Sequence, residues 1–172
     1  MAWTLIASLD TPSSGAFTFT SLTLSSYGVI QIICSGITVT TDGTDVRLTF
    51  YVSGSEVVTG YRWGSKSVSS GGTANNDGDT SDPSILLNSN DANWDVGNAS
   101  TKSLGAIITV DAPASTALHK KAEIEAVMVG PTGNVLINSG VGVMENAGAI
   151  DGIKISGSSN LTAGKVRILG LA

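Results

Sequence analysis

The stretch AIDGIKISGSSNLTAGKVRILGLA, residues 149–172, contains two runs in which apolar and polar residues alternate, separated by a turn rich in Ser, Gly and Asn. In the first run, Lys154 separates Ile153 from Ile155, and the second run, at 164–170, follows the same rule. A period of two is typical of a strand that buries one of its faces. The stretch therefore predicts two β-strands near the end of the chain.

The same alternation recurs throughout the chain, for example in DVRLTFYV at 45–52 and in KAEIEAVMV at 121–129. The helical period of 3.6 residues is nowhere sustained, so no helix is predicted. We predict nine or ten strands, near 3–9, 16–22, 28–39, 45–53, 57–63, 104–110, 119–129, 134–138, 149–156 and 164–170.

Turn residues lie between these runs at hairpin spacing. Asp42-Gly43 predicts a hairpin between the third and fourth strands, and Pro131-Thr132-Gly133 predicts one between the seventh and eighth. Many short strands joined by such turns favour an antiparallel sandwich. The expected fold class is therefore all-β: an antiparallel β-sandwich with jelly-roll-like topology, whose first and last strands lie in one sheet.

One region interrupts the pattern within this single predicted domain of residues 1–172. Residues 64–103 are rich in Gly, Asn, Asp and Ser and contain few large apolar side chains. Long loops inside a compact domain commonly carry function. We therefore predict a long loop excursion at 64–103 and expect functional contacts there.

The composition excludes several classes of partner. Charged residues make up 13% of the chain, against about 25% in an average protein, while Ser, Thr and Gly together supply 62 of 172 residues. Fourteen acidic and nine basic residues give a net charge of −5, which disfavours nucleic acid. No apolar stretch approaches the ~18 residues of a membrane helix, and Cys34, the one cysteine, is expected to be a buried core residue without a disulfide partner.

Catalytic residue types are sparse. The sequence contains no serine or cysteine nucleophile motif for which the single histidine, His119, could act as a general base. His119 is therefore interpreted as a surface residue. Glu123 and Glu125 lie on one strand face about 7 Å apart by strand rise, which is compatible with an inverting glycosidase. Glutamates on the polar face of a strand are usually solvated, however, so the sequence predicts no enzyme, no catalytic residue and no cofactor.

Two binding alternatives fall near the predicted loop excursion. Asp77, Asp79 and Asp82 resemble a calcium loop only faintly, because the spaced oxygen pattern and the closing glutamate are absent. A polar turn without a metal is the better interpretation.

Four residues are candidates for contacting a partner or a glycan: Tyr61, Arg62, Trp63 and Trp94. Aromatic faces stack on sugar rings, so these side chains could form a binding platform. Packing in the core or at a subunit interface is the alternative interpretation of the same residues.

Two segments carry a family resemblance. AIDGIKISGSSNLTAGKVRILGL at 149–171 resembles the C-terminal signature of many small tailed-phage structural proteins, in which an apolar strand, a Ser/Gly/Asn turn and a final β-run end in Leu-Gly-Leu. SGAFTFTSLTLSSYGVIQI at 14–32 is similar to the opening of the same group, where a Phe-x-Phe strand precedes a Tyr and an apolar strand.

This resemblance implies a virion protein made in the host cytoplasm and found at the virion surface. A capsid decoration (cement or head-fibre) protein is expected, which binds the major capsid protein and itself forms a homotrimer. The alternative is a tail-fibre or receptor-binding module that recognises a host glycan through residues 64–103. The resemblance brings no catalytic residue with it.

Overall fold

The computed structural model describes residues 2–91 and 93–172, and within these ranges the chain forms strands and turns without a helix. None of the described residues belongs to a helix long and apolar enough to span a membrane. The strands are β1 (Thr4–Leu9), β2 (Phe17–Phe19), β3 (Val29–Val39), β4 (Val46–Val52), β5 (Ser55–Glu56), β6 (Tyr61–Ser69), β7 (Ala74–Asp82), β8 (Ile85–Leu86), β9 (Leu104–Asp111), β10 (Lys120–Val129), β11 (Val135–Met144), β12 (Ile150–Gly157) and β13 (Leu161–Leu171).

The strands form two antiparallel sheets. The larger sheet has eight strands in the order β1-β13-β3-β9-β10-β11-β6-β7, and the smaller sheet has five strands, β2-β12-β4-β5 with β8 also paired to β4. The two sheets share one hydrophobic core, as in a β-sandwich. The predicted all-β, antiparallel sandwich is therefore confirmed, while its jelly-roll topology stays a prediction.

The core lies between the inner faces of the two sheets. Ile32 and Ile108 of the eight-stranded sheet and Leu48 and Phe50 of the five-stranded sheet are fully buried. Cys34 is buried in the same core, and this burial raises the pKa of its thiol to about 12. Since only a thiolate is reactive, the side chain acts here as a small apolar residue.

The two ends of the described chain lie side by side in the eight-stranded sheet. Strand β13 pairs with β1 on one side and with β3 on the other, with Leu169 opposite both Leu5 and Gln31. The predicted location of the first and last strands in one sheet is confirmed.

The first part of segment 64–103 forms strands that the sequence does not predict, while residues 87–91 and 93–103 connect β8 to β9 without a further strand. Strand β6 continues to Ser69, β7 returns beside it, and Gly72 with a φ of +79° lies in the turn between them. The inward side chains of β7 are polar, and Asn75 and Asp77 both bond to Ser89. A strand that satisfies its inner face with hydrogen bonds has no apolar period, which is why the pattern missed it.

Of the two predicted hairpins, one is confirmed and one is wrong. Strands β10 and β11 pair along their whole length, and Gly133 has a φ of +85° in the turn between them. Strands β3 and β4, in contrast, belong to different sheets. The turn at 42–43 therefore crosses between the sheets, and the backbone amide of Asn98 donates to the Asp42 carboxylate at 2.7 Å.

Glycine at position 142 permits β8 to pack on β11, and its replacement tests this packing. In Gly142→Ala the new Cβ would lie 2.6 Å from Ile85, so we expect the free energy of unfolding to fall by about 1–3 kcal/mol through overpacking. Urea denaturation followed by circular dichroism measures the change. Gly28→Ala is the matched control, since a Cβ there meets nothing within 4 Å. Equal midpoints for the two variants would contradict the packing.

Candidate functional site

Tyr61 is a core residue and not a surface platform. Its side chain is fully buried, and its ring lies 6.4 Å from that of Phe50, measured between centroids. Its hydroxyl donates to the Val57 carbonyl at 3.0 Å and accepts from the Phe50 amide at 2.9 Å. Tyr61 therefore connects β6 of one sheet to β4 of the other.

The other candidate contact residues also fail to form a glycan platform. Trp63 and Trp94 are buried, and the Trp63 Nε1 group donates to the Asp82 carboxylate at 3.0 Å. Arg62 lies on the opposite face of β6 and forms an ion pair with Glu145 at 2.6 Å. Of the two interpretations of these residues, packing in the core applies to Tyr61, Trp63 and Trp94, because their burial leaves no ring face free for a sugar.

Asp77, Asp79 and Asp82, the acidic residues of the possible calcium loop, each accept hydrogen bonds from different partners. The Asp77 carboxylate accepts from the Ser89 hydroxyl at 2.9 Å and from the Asn90 amide at 2.5 Å. The Asp79 carboxylate accepts from the Ser81 amide, and that of Asp82 from Trp63. Among the described residues, no group of three or more His, Cys, Asp or Glu side chains is placed to hold a metal ion.

A buried polar network attaches the segment after β8 to β4. The Asn88 side chain accepts from the Val46 amide at 2.7 Å and donates to the Asp95 carboxylate at 2.5 Å. Burial, followed by the negative charge of nearby Asp45, raises the pKa of Asp95 to about 7. Asp45 in turn forms an ion pair with Arg47 at 2.7 Å.

The surface that stands out chemically is the side of the eight-stranded sheet that faces away from the core, here called the outer face. It exposes large apolar side chains on four adjacent strands, each between 41% and 58% exposed: Val68, Ile107, Val127, Val135, Ile137 and Val141. The pairing register brings several of them together, with Ile137 opposite both Val68 and Val127. The outer face therefore combines an apolar patch around Val68, Val127 and Ile137 with a charged row that contains Glu125 and Lys66.

A shallow groove of about 440 Å³ runs along part of the outer face. Ile33, Ile107, Val127 and Ile137 supply apolar walls, and Gly105 has no side chain to fill the space between them. An apolar groove in a flat sheet is suited to receive side chains of another protein surface.

The remaining charged candidates lie on or near the same face. Glu123 and Glu125 are exposed neighbours on β10, and the Glu125 carboxylate accepts from the Ser139 hydroxyl at 2.7 Å. They stand on an open sheet and not on opposite walls of a cleft, as a glycosidase pair would. His119 is exposed just before β10.

Sequence reasoning missed the outer face. It assigned Val127 to the polar side of its strand together with Glu123 and Glu125. In the sequences VMV at 127–129 and VLI at 135–137, however, consecutive residues are apolar, so both faces of the strand carry apolar side chains. Such double-sided runs are the signal that could have indicated a strand with two covered faces.

No family model, curated protein or solved structure matches this chain significantly. Its function therefore has to be inferred from its own residues and geometry.

The raised pKa of Asp95 predicts a pH-dependent stability. Because this pKa of about 7 exceeds the unfolded value of about 3.9, the folded chain retains a proton that the unfolded chain has released. The free energy of unfolding should therefore fall as the pH rises from about 4 to about 7. Asp95→Asn should remove this slope and be more stable than wild type near about pH 8, by on the order of 1 kcal/mol.

Chemical denaturation at a series of pH values measures this difference. Asp111→Asn removes one exposed carboxyl and controls for the change in net charge. A wild-type slope that persists in Asp95→Asn would assign the pH dependence to other groups.

Proposed function

We propose that this protein is a virion structural protein that decorates the outside of a phage capsid and stabilises the shell as a homo-oligomer. The single observation that carries the proposal is the outer face, an apolar surface on four adjacent strands of a rigid sheet. Monomeric soluble proteins rarely leave such a contiguous patch uncovered, and large patches mark protein–protein contacts. A chain that acts as a homo-oligomer needs a surface of this kind for its contact with further copies of itself.

The energetics of decoration fit a chain with this surface. An oligomer contacts the shell through several subunits at once, so modest contacts per subunit give tight overall attachment through high effective concentration. Ligands that bind only the assembled lattice stabilise it by mass action. The proposed partners are the major capsid protein and further copies of this chain, in the homotrimer that the resemblance implies. The net charge of −5 disfavours nucleic acid.

The resemblance at 149–171 supports the same proposal. These residues form β12 and β13, one in each sheet. The proposed site of action is the virion surface, after synthesis in the host cytoplasm. We also propose that the two sheets are connected with jelly-roll-like topology.

A receptor-binding role is the second candidate, supported by one feature. A groove of about 270 Å³ lies beside Trp94 and is lined by hydroxyl and amide side chains, including Thr73, Asn93, Thr132 and Asn134. Such groups can hydrogen-bond a glycan. This candidate is weaker because the aromatic rings that would stack on sugars are buried.

Two arginine substitutions separate capsid attachment from receptor binding. Thr80 and Asn90 are exposed, and their side chains form no hydrogen bond within the described residues. If the segment 64–103 clamps the shell, Thr80→Arg with Asn90→Arg should reduce occupancy on capsids that lack the protein by at least about tenfold, because two large charges enter the contact. Co-sedimentation with purified capsids measures occupancy, and adsorption of intact phage to host cells is measured in parallel.

The matched control carries Thr23→Arg with Ser25→Arg, in the exposed connection between β2 and β3. It should retain occupancy and adsorption. Full occupancy of the Thr80/Asn90 variant with lost adsorption would reject decoration through this segment and favour receptor binding. Wild-type protein that does not bind capsids at all would overturn the proposed function.

A further inference from the structure

The charges on the outer face are arranged in a way that fits a second copy of the same face. Strand β11 lies between β10 and β6, and one row across these strands consists of Glu125, Ser139 and Lys66. Glu125 and Lys66 are therefore on opposite sides of β11 and equally distant from it. Within the described residues neither side chain takes part in an ion pair.

We propose that two copies of this chain pair through their outer faces about a two-fold axis that runs along β11. A rotation of 180° about that axis places β10 of one copy over β6 of the other. Each row of paired residues in one copy then lies over the same row in the other copy. Glu125 of each copy then lies over Lys66 of the other. The two charges meet twice in the dimer, as an isologous interface requires.

The same rotation matches the apolar side chains. In the row next to that of Glu125, Val127 comes to lie over Val68 of the other copy, while Ile137 lies over its own counterpart. On the other side of the Glu125 row, Val141 also meets itself, and Glu123 lies over Gly64, which has no side chain to obstruct it. Five of the exposed apolar side chains are covered together: Val68, Val127, Val135, Ile137 and Val141.

The edge of the sheet permits this approach. The residues of β7 that share the outer face with β6 are Ala74, Asn76 and Gly78, opposite Val68, Lys66 and Gly64. The two small residues let β9 of the other copy come close, and Ile107 of that copy lies over Asn76. Five strands about 4.8 Å apart and about eight residues long give a flat area of roughly 600 Å², which is of the order of the ~800 Å² per partner that a stable interface buries.

A two-fold axis between β3 and β9 is the alternative considered for this face. An axis between β3 and β9 would place Ile107 over Ile33 and Glu125 over Arg167. It would, however, leave Val68 and Ile137 exposed. The axis along β11 therefore explains more of the outer face.

This inference deepens the proposed function, because it names a second copy of the chain as the occupant of the outer face. It rests on the part of the proposed function that makes the protein a homo-oligomer, and it does not depend on binding to a capsid. It replaces the homotrimer expected from the resemblance with an isologous dimer, since a two-fold contact closes after two copies.

The test is the mass of the purified full chain, measured by light scattering and sedimentation over micromolar concentrations. Wild type is expected to have twice the mass of one chain. Ile137→Asp should give a monomer, because two negative charges would meet on the axis. Val58→Asp is the matched control: Val58 is 53% exposed, Ile137 is 52% exposed, and Val58 lies outside the outer face. Circular dichroism verifies that both variants are folded.

A charge exchange tests the geometry directly. Glu125→Lys alone and Lys66→Glu alone should each weaken the dimer by at least about tenfold, and the double variant should restore it. Ser139→Cys, on the axis, should be joined between copies by a thiol-specific cross-linker of about 8–10 Å, since facing sheets lie about 10 Å apart, whereas Thr109→Cys on β9 should not. Failure of the double variant to recover would overturn the axis along β11.

The outcomes separate this inference from the proposed function. A wild-type chain that stays monomeric or forms trimers overturns the dimer, even if it still binds capsids. A dimer that binds no capsid supports the pairing and counts against decoration.

Discussion

The structure depends on the burial of two sheet faces against each other. Side chains alternate along every strand, so once Ile32, Ile108, Leu48 and Phe50 are placed in the dry core, the orientation of every neighbouring residue is fixed. A shift of one residue in any pairing would exchange the two faces of that strand. The core therefore determines the chemistry of the outer surface as well as the stability of the fold.

The outer face follows from this constraint. With Ala126 and Met128 directed into the core, Val127 must point away from it, and the pairing with β11 brings it opposite Ile137. A strand buried on one side only would carry polar residues at these positions. Apolar residues on both sides indicate that the sheet is built for a second contact, and Glu125 and Lys66 provide the charges that align it.

Much of the fold could be predicted, and strand β7 shows why one part of it could not. Period-two alternation located most strands, the Pro131-Thr132-Gly133 turn located a hairpin, and Cys34 is buried as expected. Strand β7 was missed because Asn75 and Asp77 satisfy its inner side through hydrogen bonds to Ser89. Patterns of apolar residues detect burial by hydrophobicity, and they do not detect strands held by polar networks.

The sequence by itself determined that the chain is all-β and which faces of its main strands are buried, because alternation and turn chemistry are local properties. Only the tertiary structure decided which strands become neighbours. In the tertiary structure Tyr61, Trp63 and Trp94 are buried in the core. Glu125 and Lys66 lie on either side of β11. Those juxtapositions depend on pairings between distant segments, such as that of β11 with β6, which brings Ser139 opposite Lys66, and no local pattern encodes them.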